Sequence, residues 1–213
     1  YSFDGIDDFL DIGNDPSLSP PDAITIALWV NPAVVTTEDR YLLYKNLAYF
    51  LDSSRTWTEN SHLYIYDSQG TNHILTANTA LLASTWNHVA VTYDGSSIKM
   101  YLDGTEIVSQ SNSFGNLNSN SNNLYIGAPS WFTDTFYGLL DDVRIYSRAL
   151  SQIDIQNIVD GQGSTPVYHP ADNNPADGTI SLEELNTYIQ LWKTSSDISL
   201  AQLIEVVELW QNG

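Results

Sequence analysis

The chain has 213 residues, with 26 Asp plus Glu against 7 Lys plus Arg and a formal net charge of -19. That balance repels phosphate backbones and argues against nucleic acid as a partner, while zero cysteines exclude disulfides and thiolate metal sites. No apolar run approaches the roughly 18 residues of a membrane span, and oxygen-bound calcium stays open as a metal. Charged residues make up only 15% of the chain, against roughly 25% in ordinary proteins, so the surface is dressed in Ser, Thr, Asn and Tyr. With neither a signal peptide nor an initiator Met ahead of Tyr1, the chain reads as a processed secreted protein or an excised fragment.

From residue 1 to about residue 150 the apolar residues alternate in short runs broken by Gly, Asp, Asn and Ser, as strands joined by turns require. "ITIALWVNP" alternates through Ile24, Ile26, Leu28 and Val30, and "WNHVAVTYDG" through Val89, Val91 and Tyr93. "IKMYLDGTEIV" predicts a hairpin turning at Asp103 and Gly104, where glycine accepts positive φ without steric penalty. At least eight such strands, with no long helical stretch between them, predict a β-sandwich or jelly roll. Residues 111 to 123, "SNSFGNLNSNSNN", read as a solvated polar connection. "RALSQIDIQNIVDG" predicts a short closing helix capped by Gly161, and residues 161–170, rich in Gly and Pro, a linker.

The strings "FDGIDDFLDIG", "ITIALWVNP", "WNHVAVTYDGSSIKMYLDGTEI", "LYIG" and "FYGLLDDVRIYSRALSQIDIQNI" occur in the order and spacing of LamG-like, concanavalin A-like jelly rolls. The resemblance covers about residues 1–160 and implies two antiparallel sheets with the first and last strands adjacent, in a family that serves mostly in extracellular recognition of sugars or proteins. Glycoside hydrolases share this fold, and their chemistry needs two carboxylates about 5 to 10 Å apart across the scissile bond. The ExDxxE string by which glucanases of the fold present them is absent, as are HExxH and GxSxG, and His62, His73, His88 and His169 are scattered. His88, within "WNHVAV", reads as an ordinary packed histidine.

Two acidic clusters stand at the ends of the β region: Asp4, Asp7 and Asp8, and Asp141 with Asp142. If the terminal strands pair, like charges in a partly dry site call for a cation. Similarity to LamG-like domains points to a structural calcium on Asp4, the Gly5 carbonyl and Asp141, with Asp142 in reserve and solvated turn residues as the alternative. Trp57, Tyr66 and Trp131 are candidates for a sugar-stacking surface, with core or edge packing as their alternative.

"ADNNPADGTISLEELNTYIQLW", residues 171–192, crowds oxygens around one glycine before a helical pattern. Calcium takes about six to eight oxygens, and the EF-hand loop supplies them at alternating positions around a central Gly and closes on a bidentate Glu. Asp172, Asn174, Asp177, the Thr179 carbonyl, Ser181 and Glu184 fill those roles around Gly178. The loop spans residues 172 to 184, one residue longer than the usual ~12, the extra residue lying between Asn174 and Asp177. Ser181 and Glu184 also make a capping box. The phrase returns as "ISLAQLIEVVELW", where Gln202 keeps capping and lacks the carboxylate, so the second unit reads as a scaffold without metal. The pair, residues 171–213, resembles dockerin-like and other EF-hand duplexes. Ile204, Val206, Leu209 and Trp210 make its last helix apolar nearly all round, a docking surface for the sandwich, a partner or another copy.

The sequence therefore predicts an all-β, concanavalin A-like sandwich over 1–160, a linker over 161–170, and a small α-helical EF-hand-like domain over 171–213. The function it predicts is a non-catalytic, calcium-binding module at the cell surface or outside the cell, recognising carbohydrate or a surface protein. The alternatives are a filament subunit polymerising head to tail through the C-terminal helices, and third, a glycoside hydrolase.

Overall fold

The computed structural model describes residues 1–54, 60–111, 114–129, 131, 134–161 and 190. The chain divides into a compact unit Tyr1–Asp160 and a second, Gly161–Gly213. The calcium loop predicted over 172–184 and the docking residues Ile204, Val206, Leu209 and Trp210 lie outside the described residues.

The first unit is built from β1 (Ser2–Asp4), β2 (Leu10–Gly13), β3 (Ile24–Pro32), β4 (Arg40–Lys45), β5 (Tyr49–Ser54), β6 (Asn60–Tyr66), β7 (Asn72–Ala80), β8 (Asn87–Tyr93), β9 (Ser97–Leu102), β10 (Thr105–Ser111), β11 (Leu124–Ile126), β12 (Tyr137–Tyr146) and α1 (Gln152–Val159). The strands form two six-stranded sheets, ordered β1-β12-β3-β8-β9-β10 and β2-β11-β4-β5-β6-β7. Every pairing between these strands is antiparallel, and the first and last strands are neighbours, as the resemblance implies. The turn at Asp103 and Gly104 has φ of 49° and 80°, the left-handed pair that matches strand twist in a two-residue hairpin.

Alternation sends one side of each sheet into the sandwich. Ile24, Ile26, Leu28 and Val30 of β3 meet Leu43, Leu51, Leu63 and Leu75 of the second sheet in one core. The other side of β3 departs from simple alternation, because Thr25 and Ala27 are buried as well. Helix α1 covers them: Ala27 and Ala90 face each other across β3 and β8, and their small side chains leave a bed for Leu150, Ile155 and Ile158. Burying each isoleucine contributes about 1.5–3 kcal/mol, which holds an eight-residue helix too short to persist alone. Its start is fixed twice. Ser151 and Asp154 form a capping box, and the Thr25 hydroxyl donates to the Arg148 carbonyl at 2.7 Å while accepting from the Leu150 amide at 2.8 Å.

The polar connection ahead of β11 is no solvated tether. The Phe114 ring lies stacked between His73 (3.7 Å) and Tyr93 (4.4 Å), and Leu117 is buried in the core. Asn120 and Asn122 donate to the Asn46 carbonyl, both at 2.9 Å, and the buried Lys45 ammonium donates to the Asn122 carbonyl and to Asn14 Oδ1. Two apolar residues in a polar run thus plug one end of the sandwich, and desolvation there lowers the Lys45 pKa.

Candidate functional site

The outer face of the second sheet carries a row of aromatics that the strand register assembles. Tyr125 pairs with Tyr44, Tyr44 with Phe50, Phe50 with Tyr64, and Tyr64 with Ile74, so five neighbouring strands contribute one residue each to a straight line. Directly opposite residues in antiparallel strands share a face. Phe50 and Tyr64 are stacked at 4.1 Å, and Tyr44 lies tilted against Phe50 at 5.7 Å. A second line runs beside the first: Tyr41 pairs with Asp52, and Asp52 with His62, which pairs with Thr76. A bulge between Tyr41 and Leu43 turns Tyr41 outward to join the aromatic cluster.

Tyr41, Tyr44, Phe50 and Tyr64 are themselves almost fully buried, so they form a floor rather than a contact surface. Trp131 stands on it, edge-on to Tyr44 at 5.2 Å and to Tyr41 at 5.7 Å, with half of its surface exposed. Its indole N–H donates to Asp134 Oδ2 at 3.1 Å, which fixes the orientation of the ring. Tyr66 and Tyr125 are partly buried against the same cluster, and Phe9, 41% exposed, abuts Tyr125. An indole held upright on an aromatic floor presents a flat, electron-rich face, suited to the C–H side of a pyranose or furanose ring. Hydrogen-bonding groups lie close by. Asp52, 1% exposed, accepts from the His62 amide at 2.7 Å and lies 3.2 Å from His62 Nδ1.

The structure thus brings Tyr66 and Trp131 onto one face. Trp57, the third predicted stacking residue, lies outside the described residues. The floor itself was missed, because Tyr44, Phe50, Tyr64 and Tyr125 become neighbours only through register. Alternating aromatics in "SHLYIY" are the signal that could have exposed part of it.

The two acidic clusters do not converge. β1 and β12 do pair, but Asp4 lies opposite Tyr137, four residues before Asp141, a displacement of about 13 Å along the strand. Asp141 instead lies opposite Trp29. The carboxylates gathered near Asp4 are those of Asp7 and Asp8, with oxygens within 4.8 Å of one another and all exposed. Local turn geometry accounts for that cluster: Asp4 Oδ1 accepts from the Ile6 amide at 2.8 Å, and Asp8 Oδ2 from the Asp4 amide at 2.9 Å. Gly5, at φ 76°, serves the turn, where a Cβ would sit 2.8 Å from that of Tyr137. Asp142, at φ 49°, is bound to Arg144 at 2.7 Å. Among the described residues, no helix is long and apolar enough to cross a membrane.

Several solved structures share this architecture. Domain 4 of an extracellular arabinanase from Geobacillus stearothermophilus, solved with arabinotriose, is 21% identical, with a TM-score of 0.59 over 74% of this chain and 75% of that one. A heptameric pentraxin from Limulus polyphemus is 14% identical, with a TM-score of 0.58 over 76% and 82%. A candidate carbohydrate binding protein from Bacteroides ovatus is 19% identical, with a TM-score of 0.57 over 73% of this chain and 47% of its own. A search of curated proteins gives no match. At these identities the likeness establishes the fold. Residues 4–156 match the profile of the Laminin_G_3 family, concanavalin A-like lectin/glucanases superfamily, and the chain belongs to that family.

Proposed function

We propose that the chain is a non-catalytic, extracellular module that binds carbohydrate on the outer face of the second sheet. The observation that carries this reading is Trp131, half exposed and held upright on the floor of Tyr41 and Tyr44. The solved complex of the arabinanase domain with arabinotriose supports sugar as the ligand class. The chemistry of the face supports binding over turnover. Hydrolysis needs two carboxylates facing each other across the bond, whereas here Asp52 is buried and engaged with His62, and Asp134 is engaged with Trp131. Calcium in the 172–184 loop and docking through the last helix complete the proposal on the strength of the sequence alone.

A glycan panel that includes arabinotriose, followed by titration calorimetry, tests it. Binding is expected, weakened about tenfold or more by Trp131→Ala, with unfolding unchanged because the ring is half exposed. A panel without hits, binding untouched by Trp131→Ala, or release of reducing ends from any polysaccharide overturns the proposal.

A further inference from the structure

We infer that Phe9 is a second stacking platform on the face that carries Trp131, and that the ligand is a linear oligosaccharide of three or more rings laid across the strands, not a single terminal sugar. This rests on the carbohydrate reading of Trp131 and deepens it. The two rings share one stance. Trp131 stands edge-on to Tyr44 at 75° and Phe9 edge-on to Tyr125 at 66°, and they are 49% and 41% exposed. Tyr44 and Tyr125 lie directly opposite each other in β4 and β11, and Asp11 of β2 lies opposite Tyr125. Phe9, two residues before Asp11 and in contact with Tyr125, therefore rises from the same face as Trp131, at the β2 edge of the sheet.

Spacing decides how many sugar rings are needed. The strand order β2-β11-β4 separates the two platforms by two strand steps, roughly 9.5 Å. Carbon atoms in van der Waals contact lie about 3.5–4 Å apart, so one sugar held between both rings would need them only about 7–8 Å apart. One sugar therefore touches one platform, and reaching the other takes a chain: one ring on Trp131, one over the Tyr44 and Tyr125 pair, and one on Phe9. The middle of the path is fixed as well, since the Tyr44 hydroxyl donates to Asn46 Oδ1 at 2.9 Å.

Polar groups frame both platforms, as a sugar requires once its C–H face is stacked. Asp134 stands beside Trp131, bound to its indole N–H. At the Phe9 end, Asp11 Oδ1 accepts from the Gly13 amide at 2.9 Å, and Asn123 Nδ2 donates to both Asp11 carboxylate oxygens at 3.0 Å. These bonds hold a carboxylate and a carboxamide in place, and each retains lone pairs or an N–H for hydroxyl groups.

Calorimetric titration of the full chain with arabinose, arabinotriose and arabinopentaose, and with the xylose and glucose series of the same lengths, tests this. Affinity is expected to rise about tenfold or more from one ring to three and to level off beyond. Phe9→Ala should weaken the trisaccharide about tenfold and leave the single sugar unmoved, flattening the dependence on length. Phe9→Leu, which keeps apolar bulk without a flat face, should behave like Phe9→Ala, whereas Phe9→Trp should preserve the length dependence; a role in folding alone would not divide the variants this way. Phe9 is 41% exposed, so its replacement leaves a folded protein in which the answer can be read. Trp131→Ala should weaken binding at every length. Binding that Trp131→Ala weakens but that is equally tight for one ring and three, or that Phe9→Ala does not move, overturns this inference and leaves the carbohydrate face standing. No binding of any of these sugars at any length removes both.

Discussion

His88 should make the protein acid-sensitive between about pH 6.5 and pH 4. Burial lowers the imidazole pKa from the ordinary 6.5 to about 4. The unfolded chain therefore takes up a proton near pH 6.5 that the folded chain refuses until about pH 4, so the unfolded state binds more protons throughout that window and stability rises with pH across it. The His88 contribution is fully present above pH 6.5 and lost as pH falls toward 4. The fall from 6.5 to about 4 corresponds to about 3 kcal/mol, a large part of the ~5–15 kcal/mol that holds a domain together. The lowered carboxyls of Asp15, Asp67, Asp94 and Asp154 start from a reference of 3.8 and that of Glu106 from 4.5, so their losses gather at the acid end of the window and below it, and the comparison with a variant lacking only the imidazole separates them from that of His88. Urea midpoints measured from about pH 8 to pH 4 on the wild type and on His88→Phe should diverge as pH falls, the wild type weakening faster. Neither His88 ring nitrogen has a hydrogen-bond partner among the described residues, and the ring lies edge-on to Trp29 at 5.2 Å; phenylalanine removes both nitrogens and keeps a ring there, so the variant should match or exceed the wild type near neutrality. Parallel curves, or an imidazole whose proton resonances titrate near pH 6.5 in the folded protein, would refute the reasoning.

Other positions give equally sharp expectations. Gly138 has φ 148°, and a Cβ there would lie 2.3 Å from the Asn31 carbonyl oxygen and 2.9 Å from Pro32 Cα. Gly138→Ala should therefore cost about 3 kcal/mol or more, read as a drop in thermal midpoint; an unchanged midpoint would count against the close approach. For the proposed calcium loop, calorimetry should show heat on calcium addition that Glu184→Gln removes, since the amide cannot give bidentate coordination; no heat in the wild type would count against the metal.

Much of the sandwich was legible because its signals are local. Ile24, Ile26, Leu28 and Val30 announce an inward face by their spacing, Asp103 and Gly104 announce a turn, and Gly161 sits just past the helix that "LSQIDIQNIV" predicts. What was not legible depends on register. Tyr44 and Phe50 are six residues apart and Phe50 and Tyr64 fourteen, yet all three are nearest neighbours across strands. No spacing rule reveals such a row before the pairing is known. The same limit explains the acidic clusters: the adjacency of β1 and β12 was foreseeable, but the four-residue offset between Asp4's partner and Asp141 was not. Burial of Thr25 and Ala27 likewise needed the helix to be placed on the sheet, since Ala27 and Ala90 signal a groove only as a pair. Phe114 and Leu117, two apolar residues in an otherwise polar run, were the legible hint that the connection before β11 is anchored.

The sandwich interior rests on Leu, Ile and Val from both sheets, and the layer of Tyr41, Tyr44, Phe50 and Tyr64 is a separate cluster on the far side of the second sheet. Substitutions at the outermost positions of that layer, such as Trp131 and Phe9, can therefore accumulate without disturbing the scaffold beneath. A lineage could retune what the domain holds by exchanging rim side chains alone, the foundation staying fixed while the ligand changes.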